Sequence, residues 1–279
     1  MLPDVRSPTA ARRYAAPVRL GMQVDTSPSI QGVVEQVRRM AEAGFSTAAC
    51  SQIFGYDALT LLALVGAEVP DIELMTAVVP TYPRHPMVLA AQALTVQAAT
   101  GGRLTLGIGV SHQVVVEGML GYSYERPARH MREYLEALAP LLRGEQGAYE
   151  GETLKAVTMG PLSIAAPPPS LMVAALAPAM LRVAGRLSDG TITWMTGLRT
   201  VEGHIAPTIR AAAAEAGRPE PRIAVSLPVC VTGRPDEARE RANRTFAIYG
   251  QLPAYRSMLD REGAPEPGDV AIVGDEESV

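Results

Sequence analysis

The side chains that titrate near neutral pH are four histidines, and they sit in different settings. His112 ends the run Gly107-Ile108-Gly109-Val110-Ser111-His112, where an apolar stretch gives way to polar residues. His85 stands between Arg84 and Pro86 at a helix start, His130 in the charged stretch 129–133, and His204 near a helix N-terminus. A histidine beside glycine and serine at a strand end can be presented to a ligand, so His112 is the candidate for moving a proton and the others read as structural. The same run lacks the third glycine of a dinucleotide-binding turn. The chain has no Walker loop, nucleophile elbow or His-Glu-x-x-His helix, which disfavours a triad hydrolase or a zinc enzyme. Cys50 and Cys230 lie far apart in apolar runs, without disulfide or zinc spacing, and a reducing cytoplasm is the natural compartment.

Three other segments could serve a ligand. Leu176-Ala177-Pro178-Ala179 joins an apolar run to a helical one; its small side chains would let a phosphate reach backbone N–H groups, and an ordinary tight turn reads equally well. Thr76-Ala77-Val78-Val79-Pro80-Thr81-Tyr82-Pro83 ends a strand with two prolines that fix the following loop. Trp194-Met195 could face a flat ring, although core packing is the favoured reading.

These groups need a scaffold. The chain has 279 residues, 47% hydrophobic and 19% charged, enough for a sizeable core. A net charge of −4 without runs of like charge removes the footprint of a nucleic-acid or anionic-membrane binder, so the partner is a small molecule or a second copy. The uncharged stretches 85–102 and 156–181 are interrupted by polar residues or by prolines and do not read as membrane spans. Lys155 is the only lysine among 25 basic residues, a mark of a GC-rich genome. From Arg19 onward short apolar runs alternate with helical ones, the pattern of stacked βα units. Strands are expected at 19–25, 47–53, 72–80, 103–110, 171–176, 190–195 and 222–231, with helices between them. An inserted excursion is expected over 144–169 and a flexible leader over 1–18, the rest (19–279) being one domain. Seven such strands fit an eight-fold (β/α) barrel, a TIM barrel, whose last βα unit is expected to be absent from this chain. In such a barrel function sits at the C-terminal strand ends: Ser51 and Gln52, Thr76 to Val78, Gly109 to His112, Ala175 to Ala177, and Thr196 with Gly197.

Residues 100–145 (TGGRLTLGIGVSHQVVVEGMLGYSYERPARHMREYLEALAPLLRGE) and PTYPRHP at 80–86 resemble the luciferase-like monooxygenase superfamily, in particular its actinobacterial branch that uses the deazaflavin coenzyme F420. The likeness extends to SDGTITWMTG at 188–197 and FAIYGQLPAYRSMLDREG at 246–263. It implies a (β/α)8 barrel with the cofactor ring across the C-terminal mouth. It further implies a non-proline cis peptide between Ala77 and Val78 behind the ring, a phosphate beside Ala175, Leu176 and Ala177, and Thr196 and Gly197 close by. Gly109 and Ser111 would border the ring. The sugar-phosphate dehydrogenases of the superfamily have histidine and glutamate where Gln52 and His112 stand here, and the chain has no basic cluster for a phosphorylated sugar.

The activity that follows is hydride transfer between the deazaflavin and a small carbonyl, enone, alcohol or imine. His112 would donate a proton or polarise the substrate, with Gln52 and Ser111 orienting it. Two alternatives stay open: an FMN-dependent monooxygenase of the same superfamily, and a non-catalytic deazaflavin binder. Relatives imply a homodimer, and no metal is expected.

Overall fold

In the computed structural model, which describes residues 18–279, the short apolar runs are strands and the longer ones are helices between them. The leader expected over 1–18 lies outside the described residues apart from Val18. The first half of the chain supplies β1 (Gly21–Gln23), α1 (Ile30–Glu42), β2 (Thr47–Cys50), α2 (Ala58–Glu68), β3 (Glu73–Thr76), β4 (Val79–Pro80), α3 (Pro86–Ala99) and β5 (Leu104–Gly109). After it come α4 (Gln113–Val116), α5 (Pro127–Leu142), the hairpin β6 (Ala148–Glu150) and β7 (Lys155–Val157), β8 (Ser170–Ala174), α6 (Pro178–Leu187) and β9 (Gly190–Trp194). The remainder is α7 (Leu198–Thr200), α8 (Ala206–Glu215), β10 (Arg222–Ser226), β11 (Val229–Val231), α9 (Pro235–Phe246), α10 (Pro253–Glu262) and β12 (Ile272–Gly274).

Local chemistry sets the boundaries. Ser29 caps α1 by accepting from the Gly32 N–H (3.2 Å), and Asp57 caps α2 by accepting from the Thr60 N–H (2.9 Å). α1 then buries Val33, Val34, Val37 and Met40 at helical spacing. Proline opens α3, α5, α6, α9 and α10, where its missing N–H costs nothing.

The main sheet is parallel in the order β1-β2-β3-β5-β8-β9-β10, with β4 also paired to β5. β1 and β10 stand at its two ends. Even so, Arg222 at the start of β10 donates twice to Glu73 at the start of β3 (2.6 and 3.0 Å), so the sheet is curled.

Three expectations change in detail. The third strand divides into β3 and β4 around Ala77-Val78. The seventh ends at Ser226; its second half leaves the sheet as β11 and pairs in parallel with β12, so the apolar residues 270–273 serve β11 and not the main sheet. Residues 144–169 carry the β6–β7 hairpin, which docks on α5 because the buried Glu133 accepts from the Thr153 N–H (2.7 Å) and hydroxyl (2.8 Å).

Candidate functional site

Side chains alternate along each strand, so the interior of the curled sheet reads in layers. At the N-terminal end Thr47, Thr105 and Arg222 converge on Glu73. The middle layer is Ala49, Met75, Met172, Ile192 and Ala224. Gly107 belongs to the same layer: a Cβ there would lie 2.0 Å from the Thr76 carbonyl oxygen and 2.5 Å from Ile192 Cδ1. One repeat further toward the C-terminal ends come Ser51, Ala77, Gly109, Ala174, Trp194 and Ser226, small residues apart from the tryptophan. This layer is the floor of the mouth.

On its β3 side the Ala77–Val78 peptide is cis, as the resemblance implies. The segment is tied to β2: the Ala77 N–H donates to the Cys50 carbonyl (2.8 Å), the Ser51 hydroxyl to the Ala77 carbonyl (2.7 Å) and the Gln52 N–H to the Val78 carbonyl (3.3 Å). Ala77 and Val78 keep part of their surface exposed. Gln52 spends its side-chain oxygen on the Ala58 N–H (2.7 Å), which leaves only its amide nitrogen for a ligand.

At the β5 end, Ser111 has a left-handed backbone (φ 60°), unusual for a residue with a Cβ, and it turns the chain so that His112 leaves the strand direction. The Tyr124 hydroxyl donates to the Ser111 carbonyl at 3.1 Å and holds that turn. The other three histidines are engaged: His85 accepts from the Met87 N–H, His130 meets the Thr81 hydroxyl at 3.0 Å, and His204 bonds the Leu176 carbonyl at 2.8 Å. His112 is different. It is half-buried, its ring nitrogens have no protein hydrogen-bond partner among the described residues, and burial lowers its pKa, so the imidazole is neutral at neutral pH. A neutral ring with a free N–H is a hydrogen-bond donor for a ligand heteroatom.

The opposite wall is aromatic. Phe246 and Tyr249 pack edge-on against Trp194 (centroids 5.4 and 5.9 Å), Tyr255 packs on Tyr249 (4.9 Å), and Tyr255 tilts against His112 (5.6 Å). α10 and the turn before it thus bridge the mouth from β9 to β5.

The expected cofactor residues divide. Ala177 is exposed, Leu176 partly so, and among the described residues no side chain caps the N-terminus of α6, which leaves its first N–H groups available. Ala175, by contrast, faces the helix-side core and offers no side chain to the mouth. Thr196 and Gly197 are buried, and the amides that follow them bond Glu262. Reading the sequence missed Glu262, Tyr124 and Tyr255; Glu262 and Tyr255 fall inside the 246–263 motif, which was the available signal.

A cleft of about 520 Å³ lies at the other end of the sheet, lined by Arg19, Glu73, Arg103 and Thr105 among others, away from these groups. Among the described residues no group of three or more His, Cys, Asp or Glu could hold a metal, and no helix is long and apolar enough to cross a membrane.

A family model, luciferase-like monooxygenase, matches residues 12–276. The chain is 29% identical over 222 residues to an uncharacterized protein of Mycobacterium tuberculosis (75% of this chain, 65% of that one). It is 31% identical over 194 residues to a protein of the same organism provisionally named a coenzyme F420-dependent oxidoreductase (63% and 55%). It is 28% identical over 220 residues to 5,10-methylenetetrahydromethanopterin reductase of Methanolobus tindarius (78% and 65%). The chain therefore spans 55 to 65% of the length of these relatives. Among solved structures it resembles the coenzyme F420-dependent tetrahydromethanopterin reductase of Methanopyrus kandleri, with a TM-score of 0.77 and 23% identity over 89% of this chain and 76% of that one. It also resembles a type II Baeyer-Villiger monooxygenase component of Pseudomonas putida in complex with FMN, with a TM-score of 0.69 and 18% identity over 90% and 80%. At such identities these two matches speak to the fold.

Proposed function

The chain belongs to the luciferase-like monooxygenase family, and on that premise we propose that it is an oxidoreductase that transfers a hydride between coenzyme F420 and a small organic carbonyl, enone, alcohol or imine. The observation that carries the reading is His112: alone among the four histidines its ring has no hydrogen-bond partner among the described residues, at the end of the strand beside the Ala77-Val78 segment. The F420 relatives in the comparisons favour the deazaflavin over FMN.

The residues present fit such a group. Ala77, Val78 and Gly109 offer a low surface for a flat ring, and Gly109 can bear nothing larger, since a Cβ there would lie 2.7 Å from Val78 Cγ2. The uncapped start of α6, with Ala177 and Ala179 exposed, would receive the phosphate on the main-chain amides. When bound, the deazaflavin supplies or accepts a hydride at a ring carbon. His112 donates its N–H to the substrate oxygen or nitrogen and so polarises the carbon bonded to it. Tyr124 fixes the turn that aims His112, and Tyr255 packs tilted against its ring. His204 holds the Leu176 carbonyl, which keeps the following N–H turned away from it.

The test is turnover of the deazaflavin with a panel of enones, ketones and imines, followed by the return of its oxidised absorbance. The account predicts turnover with at least one class and loss of it in His112→Ala at unchanged cofactor affinity. Equal loss of affinity would make His112 a binding residue. Turnover by an FMN form alone would move the protein to the monooxygenase reading, and cofactor binding without turnover on any class to the carrier reading.

A further inference from the structure

Tyr255 stands in the first turn of α10, and that helix is well anchored. Met258 and Leu259 are buried beneath it, and Glu262 at its end accepts from the Thr200 N–H (2.7 Å) and hydroxyl (2.6 Å). The Tyr255 ring packs edge-on against Tyr249 (centroids 4.9 Å) and at 56° against His112 (5.6 Å). Its hydroxyl is uncommitted. Tyr124 and Tyr134 spend theirs on the Ser111 carbonyl (3.1 Å) and the Arg84 carbonyl (2.7 Å). Among the described residues Tyr255 Oη has no hydrogen-bond partner, and, unlike Tyr82 Oη and Trp194 Nε1, it is not sealed from solvent. Burial, together with the neighbouring hydroxyls of Tyr249 and Tyr124, pushes its pKa above the ordinary value of 10.0, so it stays protonated and can donate. The Tyr124 hydroxyl lies on the Ser111 carbonyl, so its influence on Tyr255 places Tyr255 Oη toward the turn that carries His112.

Two uncommitted donors thus reach one corner of the mouth from different elements, His112 from the end of β5 and Tyr255 from α10. Two hydrogen bonds of about 2.9 Å let a single atom bridge donors up to about 5.8 Å apart, the same scale as the separation of these rings. We infer that Tyr255 is a second donor to the substrate, its hydroxyl and the His112 N–H closing as a two-point clamp on one oxygen, so that the site takes ketones, aldehydes and enones in preference to imines. The inference rests on the proposed function for the presence of substrate at the mouth, and it narrows the substrate class. A carbonyl oxygen has two lone pairs and accepts from both donors. A neutral imine nitrogen has one lone pair and its protonated form none, which leaves one or both donors unpaired in a water-poor corner. When the carbonyl carbon of a ketone, or the β-carbon of an enone, accepts a hydride, an electron pair moves onto this oxygen. The two donors hold that charge until water delivers the proton. Tyr249 packs on Trp194 and Tyr255 and, among the described residues, makes no ring contact with His112, so the second donor is Tyr255.

The test uses the full chain without coenzyme and para-dimethylaminocinnamaldehyde, an enal whose absorption moves to longer wavelength as donors draw charge onto its oxygen. The wild type should bind it saturably with a red shift, and should bind its O-methyl oxime, which presents a nitrogen in place of that oxygen, about tenfold more weakly. Tyr255→Phe keeps the ring on Tyr249, and its melting temperature checks the fold. It should bind the enal about tenfold more weakly and with a smaller red shift. Combined with His112→Ala it should show no red shift at all. A wild type that gives no red shift, an oxime ether bound as tightly as the enal, or a Tyr255→Phe protein with the full shift and affinity would overturn the inference. The comparison of the two probes needs only the wild type, so it decides the matter even if a variant fails to fold. Because no coenzyme is present, a failure of the hydride reading, seen as no deazaflavin turnover with any substrate class, is measured separately from a failure of the clamp.

Discussion

The two ends of the curled sheet are built from similar residue types and use them in opposite ways. At the N-terminal end Glu73 receives Arg19, Thr47, Thr105 and both nitrogens of Arg222, so each of its oxygens is occupied. At the C-terminal end, among the described residues, the His112 ring has no hydrogen-bond partner and the buried Trp194 Nε1 no acceptor, and Ser111 and Met195 hold left-handed backbones (φ 60° and 52°). A saturated polar cluster stabilises; a cluster with free donors and strained turns is kept for something that is not the protein itself. The difference tells stability residues from functional ones within a single layered interior.

The comparison breaks if the ends respond alike to substitution. The largest expected effect is on catalysis: His112→Ala should lower kcat by about 10²- to 10³-fold at nearly unchanged melting temperature, measured by single-turnover deazaflavin oxidation. Because burial holds the His112 pKa below the ordinary value of about 6.5, and the neutral ring and the imidazolium both carry a donor N–H, the rate of substrate reduction should show no loss as pH falls through that value. Glu73→Ala should do the reverse, costing about 3 kcal/mol in denaturant unfolding by stranding Arg222, and leaving the cofactor affinity of the folded fraction intact.

The same carboxylate gives a pH signature. Burial pushes the Glu73 pKa up, but Arg222, Thr105 and Thr47 outweigh it and bring it down to about 2, against 4.5 for a free glutamate. A carboxylate whose pKa is depressed on folding stabilises at pH above the unfolded value. The contribution should therefore be full above pH 4.5 and vanish as pH falls toward 2, a decline that Glu73→Ala should not share.

Smaller changes sharpen the upper end. Ala177→Asp should separate two quantities: an aspartate cap on α6 raises stability by about 1 kcal/mol, while its charge weakens binding of the phosphate-bearing cofactor about tenfold. The phosphate-free deazaflavin core should feel neither change in affinity. Tyr124→Phe removes one hydroxyl from the Ser111 carbonyl and should reduce kcat by less than about tenfold with KM unchanged.

Much of this was legible in the sequence, for identifiable reasons. Helix α6 begins and ends where Pro178 and Leu187 predict, because proline at a first turn and an apolar stripe are local signals. His112 was legible because glycine and serine mark the strand end beside it. The break of the seventh strand at Leu227-Pro228 was not, since the apolar residues on both sides continue without a change of pattern; only the proline hints that 229–231 pair elsewhere. Glu262 was illegible for a different reason. It lies 62 residues from Thr200, and a carboxylate at a helix end reads as an exposed charge until the fold sets it on another helix.

The proposed hydride carrier is tested most directly by titrating the protein with coenzyme F420 and, separately, with FMN while following Trp194 emission, since that residue walls the mouth. The account predicts saturable quenching by F420 at least tenfold tighter than by FMN, weakened by Ala177→Asp and insensitive to Glu73→Ala in folded protein. No saturable response to F420, or a tighter one to FMN, would contradict it.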